Sequence, residues 1–218
     1  MSKPTNWEAL VNDGENYGAT GEKLSPQEKI IFESIKDQTI LKIQDSYAFS
    51  RKGLVTADHG KELAALIAGF EPAKNITTLI LTHNHLGPEG AKILSESSIL
   101  PKITYLHLGS NHLGDEGVRF IAQAKLFSEV ATLNLECNGI TAEGAKALAD
   151  SPVLTQVTYL NLVDNRIGDE GARAIANSDT LTNLTYLHLG GNRIKSEEAK
   201  RALKESPKLT RLETLKVF

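Results

Sequence analysis

The sequence predicts an α/β solenoid: a curved array of strand–helix units with a parallel sheet on its concave face, helices on its convex face and a helical cap at the N-terminal end. Three observations predict it. The chain matches itself in phase at an offset of 27 residues over most of its length. Each repeat holds a short segment of period two followed by a segment of helical period. And no single repeat is large enough to bury its own leucines, so neighbours must stack to do it.

The repeats start at Ile76, Ile103, Val130, Val157 and Leu184. From each start the chain reads apolar, two variable residues, Leu, one variable, Leu, two variable, Asn. The first leucines are Leu79, Leu106, Leu133, Leu160 and Leu187, and the second are Leu81, Leu108, Leu135, Leu162 and Leu189. Asparagines follow at Asn84, Asn111, Asn138, Asn165 and Asn192, with an apolar residue two places on. The paired leucines alternate as core-facing positions of a strand do. Gly171, Ala172, Ile175 and Ala176 then carry the spacing of a helix packed on small residues. A sixth strand signal, residues 212–218, follows a last repeat of 28 residues.

Residues 38–75 read as a degenerate first repeat. Leu41, Lys42 and Ile43 stand for the strand, and Gly60 to Ala68 for the helix; an insertion at residues 47–53 breaks the spacing. Upstream, Ser25, Pro26 and Glu28 form a helix start, with Ser as N-cap and Pro in the first turn. Ile30, Ile31, Phe32 and Ile35 supply an apolar face. Residues 25–37 are therefore expected to be a helix capping the open end of the core, within an N-terminal segment spanning residues 1–37. Residues 1–24 are expected to be loop, with Trp7 against the cap.

Composition excludes several classes. A formal charge of -3 gives no basic field for nucleic acid or an anionic membrane. One cysteine, Cys137, excludes an internal disulfide and suits a reducing cytosol. The first residues lack the apolar run of a secretory signal, and no stretch is apolar enough for a membrane helix. The sequons at Asn75 and Asn183 are then repeat grammar. The expected setting is cytoplasmic.

The Leu-x-x-Leu-x-Leu-x-x-Asn-x-Ile/Leu segment over residues 76–218 resembles the ribonuclease-inhibitor type of leucine-rich repeat. That resemblance implies a horseshoe solenoid without catalytic machinery. It also implies that the asparagines bond backbone groups of the neighbouring turn. The helical part, Gly168-Asp169-Glu170-Gly171-Ala172-Arg173-Ala174-Ile175-Ala176, is similar to repeats of bacterial proteins, including effectors delivered into host cells. This implies a host protein as partner and delivery into host cytosol without a cleavable signal peptide.

Most polar columns read as structure. Glu89, Glu116, Glu143, Glu170 and Glu197 sit at helix starts, each three residues before Lys92, Arg119, Lys146, Arg173 or Lys200. That is ion-pair spacing on a solvated convex face. His83, His85 and His112 lie at strand ends, but no further ligand recurs there and structural zinc takes four. Neither a metal nor a cofactor is expected. Cys137 has the acidic Glu136 beside it, which disfavours the thiolate. The leucine-rich-repeat ligase effectors carry a separate catalytic domain with its own cysteine, and nothing of that kind is seen in this sequence. No nucleotide-binding or zinc-protease motif occurs either, so the chain is expected to be non-enzymatic.

Function is expected on the concave face, where the alternate strand positions point outward. One column reads Thr78, Tyr105, Thr132, Tyr159, Tyr186, Thr214; the next reads Ile80, His107, Asn134, Asn161, His188, Lys216. Three of the five tyrosines fall in one column, and tyrosine is enriched at binding hot spots. Tyr105, His107, Asn134, Glu136, Tyr159, Asn161, Tyr186 and His188 are the expected partner-binding residues. Gly109 and Gly190 are expected to leave hollows beside them.

Two alternatives stand beside protein binding. The repeat class also includes an activator of a small GTPase, which would need a rim residue such as Arg166 or Arg193 to serve. A self-assembling repeat protein would join through the terminal strand, giving a weak edge-mediated dimer in place of a monomer.

Overall fold

The computed structural model describes residues 26, 29, 31, 34–36, 39–44 and 59–218. The insertion at 47–53 and the segment 1–24 with Trp7 lie outside the described residues. Among the described residues eight strands form one sheet in chain order. They are β1 (Ile35–Lys36), β2 (Ile40–Lys42), β3 (Thr78–Ile80), β4 (Tyr105–His107), β5 (Thr132–Asn134), β6 (Tyr159–Asn161), β7 (Tyr186–His188) and β8 (Thr214–Lys216). From β2 to β8 every neighbour is parallel, whereas β1 pairs antiparallel with β2. Helices return the chain between strands: α1 (His59–Gly69), α2 (Gly87–Ser95), α3 (Gly114–Gln123), α4 (Ala142–Ala149), α5 (Gly168–Ala176) and α6 (Glu197–Lys204). None of the described helices is long and apolar enough to cross a membrane.

The leucine columns are the core. Leu79, Leu106, Leu133, Leu160 and Leu187 pair in register across β3 to β7, and all are fully buried. The second leucines and the starting residues Ile76 to Leu184 are fully buried too. Burying one such side chain contributes about 1.5–3 kcal/mol, so stacking repeats is the dominant stabilising term. On β8, Leu215 is only half-buried.

Each asparagine ties its turn to the one before. Asn138 Oδ1 accepts from the Asn111 and Leu113 amides (3.0 and 3.3 Å), while Nδ2 donates to the carbonyls of Leu108 and Glu136 (2.9 and 3.0 Å). Asn111 and Asn165 repeat the same geometry. A second ladder runs behind the helices, where Ser97, Ser151, Ser178 and Ser206 donate to the carbonyls of Ala68, Ala122, Ala149 and Ala176. Each serine oxygen also accepts two amides of its own turn, as with Val153 and Leu154 on Ser151.

Two expectations need correction. The capping helix predicted to reach residue 37 is helical at residues 26, 29, 31 and 34, but Ile35 and Lys36 are strand. The apolar Ile35, 8% exposed, pairs with Leu41 and so covers the edge that β2 would otherwise leave open. On the convex face, only Lys200–Glu197 (2.6 Å) forms among the five expected glutamate–lysine/arginine pairs. Exposed pairs gain little over hydration, and Lys92 instead lies over the Phe120 ring at 5.8 Å.

The aspartates beside those glutamates do more. Asp115 Oδ1 accepts from the Thr141 and Gly144 amides (2.7 and 3.0 Å) and Oδ2 from the Thr141 hydroxyl (2.7 Å), capping α4 from the preceding repeat. Asp169 does the same for the start of α6 through the Lys195 and Ser196 amides. The Ser196 amide, first among these contacts, holds the Asp169 carboxyl below its ordinary range.

Candidate partner-binding face

The concave face is built from three-residue strands whose middle residue points into the core, so the flanking residues point out. Tyr105, Thr132, Tyr159 and Tyr186 are in register on β4 to β7. The Tyr159 and Tyr186 rings stack with centroids 4.3 Å apart and planes 5° apart. Lys216 places its ammonium 5.5 Å from the Tyr186 centroid, and the His188 ring meets Tyr186 edge-on at 6.3 Å. Tyr105 stands apart and is 36% exposed. Burial lifts the Tyr159 phenol above its ordinary value, helped by the Tyr186 hydroxyl and by the Glu136 carboxylate.

Beside the tyrosines lies a polar network. Glu136 Oε2 accepts from Asn161 Nδ2 at 2.7 Å, and Oε1 lies 3.6 Å from His107 Nε2. Asn134 and Asn161 each accept the amide two residues on, from Glu136 (3.0 Å) and Val163 (3.1 Å). Asn161 is 7% exposed, so it shapes the floor and positions Glu136; contact area falls to the tyrosines and histidines. The His107 ring nitrogen facing Glu136 is buried with no hydrogen-bond partner among the described residues, as is the Thr82 hydroxyl. Burial lowers the His107 pKa, partly offset by Glu136. Burial and then Lys216 lower that of His188.

The glycines do not leave hollows. A Cβ on Gly109 would sit 2.9 Å from Glu136 Cγ and 3.0 Å from His107 Nε2, so these side chains already lie across it. At Gly190 the space is taken by the Phe218 carbonyl, 2.6 Å from a Cβ, and by His188. The close approach explains glycine at both positions, because the neighbouring strand's side chain or backbone fills the room that a side chain would need.

Along the rim, His83, Ser110, Cys137 and Asp164 occupy one column, all at positive φ between 53° and 57°. The same conformation recurs on different residues, so it is the geometry of the strand exit and not local strain at one site. Cys137 is exposed, with its sulfur 4.0 Å from Asp164 Oδ2; burial and then Asp164 push its thiol up. The His85 ring stacks on His112 at 5.2 Å and meets His59 edge-on at 5.2 Å. Among the described residues no group of three or more His, Cys, Asp or Glu is placed to hold a metal ion. Arg166 and Arg193, the rim arginines of the GTPase alternative, are both exposed.

A stack of strand–helix units with an open, residue-rich inner sheet defines an α/β repeat solenoid. More particularly, the chain carries five leucine-rich repeats: the pattern of that family matches residues 73–95, 100–122, 131–149, 153–176 and 180–197. Leucine-rich repeats generally mediate protein–protein interaction and are typical of non-enzymatic modules. No curated protein sequence matches the chain. Among solved structures, one match is an internalin from Listeria monocytogenes, at 18% identity and a TM-score of 0.45. The match covers 79% of this chain and 51% of that one, so this chain spans about half the internalin structure's length.

Proposed function

We propose that the chain is a protein-binding module of the ribonuclease-inhibitor type, with 27-residue repeats, that engages its partner through the concave sheet and performs no chemistry of its own. The observation that carries the proposal is the tyrosine column: a stacked Tyr159–Tyr186 pair under Lys216, and Tyr105 exposed one gap away. Large amphipathic rings held rigid by strand backbone lose little side-chain entropy on binding, which is why such residues dominate hot spots. The similarity of the 168–176 segment to delivered effectors extends the reading to a host protein met in host cytosol.

Affinity capture from eukaryotic cytosol and from bacterial lysate tests this, with the native chain and Tyr105→Ala/Tyr159→Ala/Tyr186→Ala as baits. Matching circular dichroism spectra establish that both baits are folded. A partner held by the native chain and lost by the variant supports the concave face, and the lysate that yields it separates host from bacterial. Equal capture by both baits sinks it.

A second reading, weak self-association, draws on the far end of the solenoid. There a 480 Å³ cavity is lined by Ile194, Leu215, Val217 and Phe218, and Phe218 is 96% exposed. Sedimentation velocity across a concentration series, repeated with Val217→Lys, decides it: an unchanged profile rejects the edge.

A further inference from the structure

The tyrosine column has a missing member. Tyr105, Thr132 and Tyr159 are aligned on adjacent strands β4, β5 and β6. Where two tyrosines are adjacent, on β6 and β7, their rings stack at 4.3 Å. That is tighter than the strand spacing of about 4.8 Å, as expected on the inside of a curve. Between Tyr105 and Tyr159 the separation is two such steps, and the intervening Thr132 is too short to reach the level of the rings. Two steps hold one planar ring with a stacking neighbour on each face. Tyr105 is 36% exposed, while the stacked tyrosines are less so.

The surrounding charge sets what flanks the ring. Among the described residues Glu136, two residues past the end of β5, is the one acidic side chain beside the gap; it accepts from Asn161, faces His107 and keeps its charge. Lys216 and Lys42, at the two ends of the neighbouring outward column, are exposed and form no ion pair among the described residues. An uncharged aromatic ring fills the slot by stacking alone, and the two lysines, each three strands from Thr132, set the charge of what lies on either side.

We infer that the gap over Thr132, walled by Tyr105 and Tyr159, receives a single aromatic side chain of the partner protein, flanked in that partner by carboxylates that meet Lys216 and Lys42. The inference rests on the concave-face reading and names the kind of partner that face fits: an acidic segment bearing one projecting aromatic residue.

The test uses a capped pentapeptide, acetyl-Glu-Gly-Trp-Gly-Glu-amide, titrated into the full chain carrying ¹³C in its tyrosine rings. Two control peptides replace Trp with Ala, or both Glu with Lys. The expected result is that ring resonances of Tyr105 and Tyr159 shift most, and that the Ala peptide binds at least about tenfold more weakly. The Lys peptide is also expected to bind more weakly, and more so at low salt. Thr132→Tyr fills the gap and is expected to abolish the response, while Thr132→Ser retains it. Should Thr132→Tyr not fold, Tyr105→Leu removes one wall and is expected to weaken binding several-fold. Equal binding of the Trp and Ala peptides, or an undiminished response in Thr132→Tyr or Tyr105→Leu, overturns the inference. A protein partner lost on removing the three tyrosines but held equally by Thr132→Tyr sinks the slot and leaves the concave-face reading standing. Peptide binding at the gap with no protein captured does the reverse.

Discussion

Removing the side chain of Asn138 is expected to be far more costly than removing that of Asn84, although the two occupy the same place in their repeats. Both are buried, at 2% and 0% exposure. Asn138→Ala leaves the Asn111 and Leu113 amides without the oxygen they donate to, and neither amide has another acceptor among the described residues. Each orphaned buried donor costs about 1–3 kcal/mol, so a loss of roughly 2–6 kcal/mol follows before any change in packing. Asn84 donates to the Ile43 and Thr82 carbonyls, but its Oδ1 has no partner among the described residues. Its removal orphans no amide, and about 1–2 kcal/mol is expected. Urea unfolding followed by circular dichroism reads both, with an unchanged m-value as the condition for comparison. Equal losses, or a loss below about 1 kcal/mol for Asn138→Ala, would refute the claim that amide satisfaction between turns is what the ladder supplies.

Other perturbations follow from the same geometry. A Cβ on Gly144 would lie 2.5 Å from Asp115 Oδ1 and 2.6 Å from Ile140 Cγ2. Gly144→Ala is therefore expected to lose about 1–3 kcal/mol in the same unfolding assay, whereas Gly69→Ala meets nothing within 4 Å and should be neutral or slightly stabilising. Burial lowers the His107 pKa below its ordinary value of 6.5, so the unfolded chain takes up the proton first. Stability contributed by neutral His107 is present above pH 6.5 and declines as pH falls below it; His107→Gln should flatten that slope in melting temperatures measured from pH 7.5 down to 5. Cys137 should alkylate slowly at pH 8, and Asp164→Asn should speed it by removing the second cause of its raised pKa; an unchanged iodoacetamide rate would contradict this.

The parts legible in the sequence were those encoded by period. The paired leucines, the asparagine column and the 168–176 helix lie within one repeat's own grammar, and they fold as that grammar implies. The tyrosine column was legible for the same reason, since alternation alone assigns a strand residue to one face.

Features that depend on a neighbour were not. Asp115 reads as an ordinary first-turn acid, yet its partners are Thr141 and Gly144 in the next repeat. The Ser151 and Ser178 ladder carried a signal, a serine three residues before a buried leucine at the repeat spacing, but serine is too common in turns for it to stand out. Gly109 reads as empty space because a sequence shows the missing side chain and not the Glu136 side chain folded over it. Ile35 fits a helical face and a strand equally well; pairing with Leu41 decides for the strand.

The concave sheet is the surface proposed to meet a protein partner. Site-specific photocrosslinking tests it most directly, with p-benzoylphenylalanine placed at Tyr105 or Tyr186 on the inner sheet and at Arg119 on the convex helices. Each variant is irradiated in the lysate that yields capture, and adducts are resolved by mass. The account predicts one shared adduct from positions 105 and 186, absent at 119 and suppressed by Thr132→Tyr at position 105. An adduct formed from position 119 and from neither inner position would contradict it.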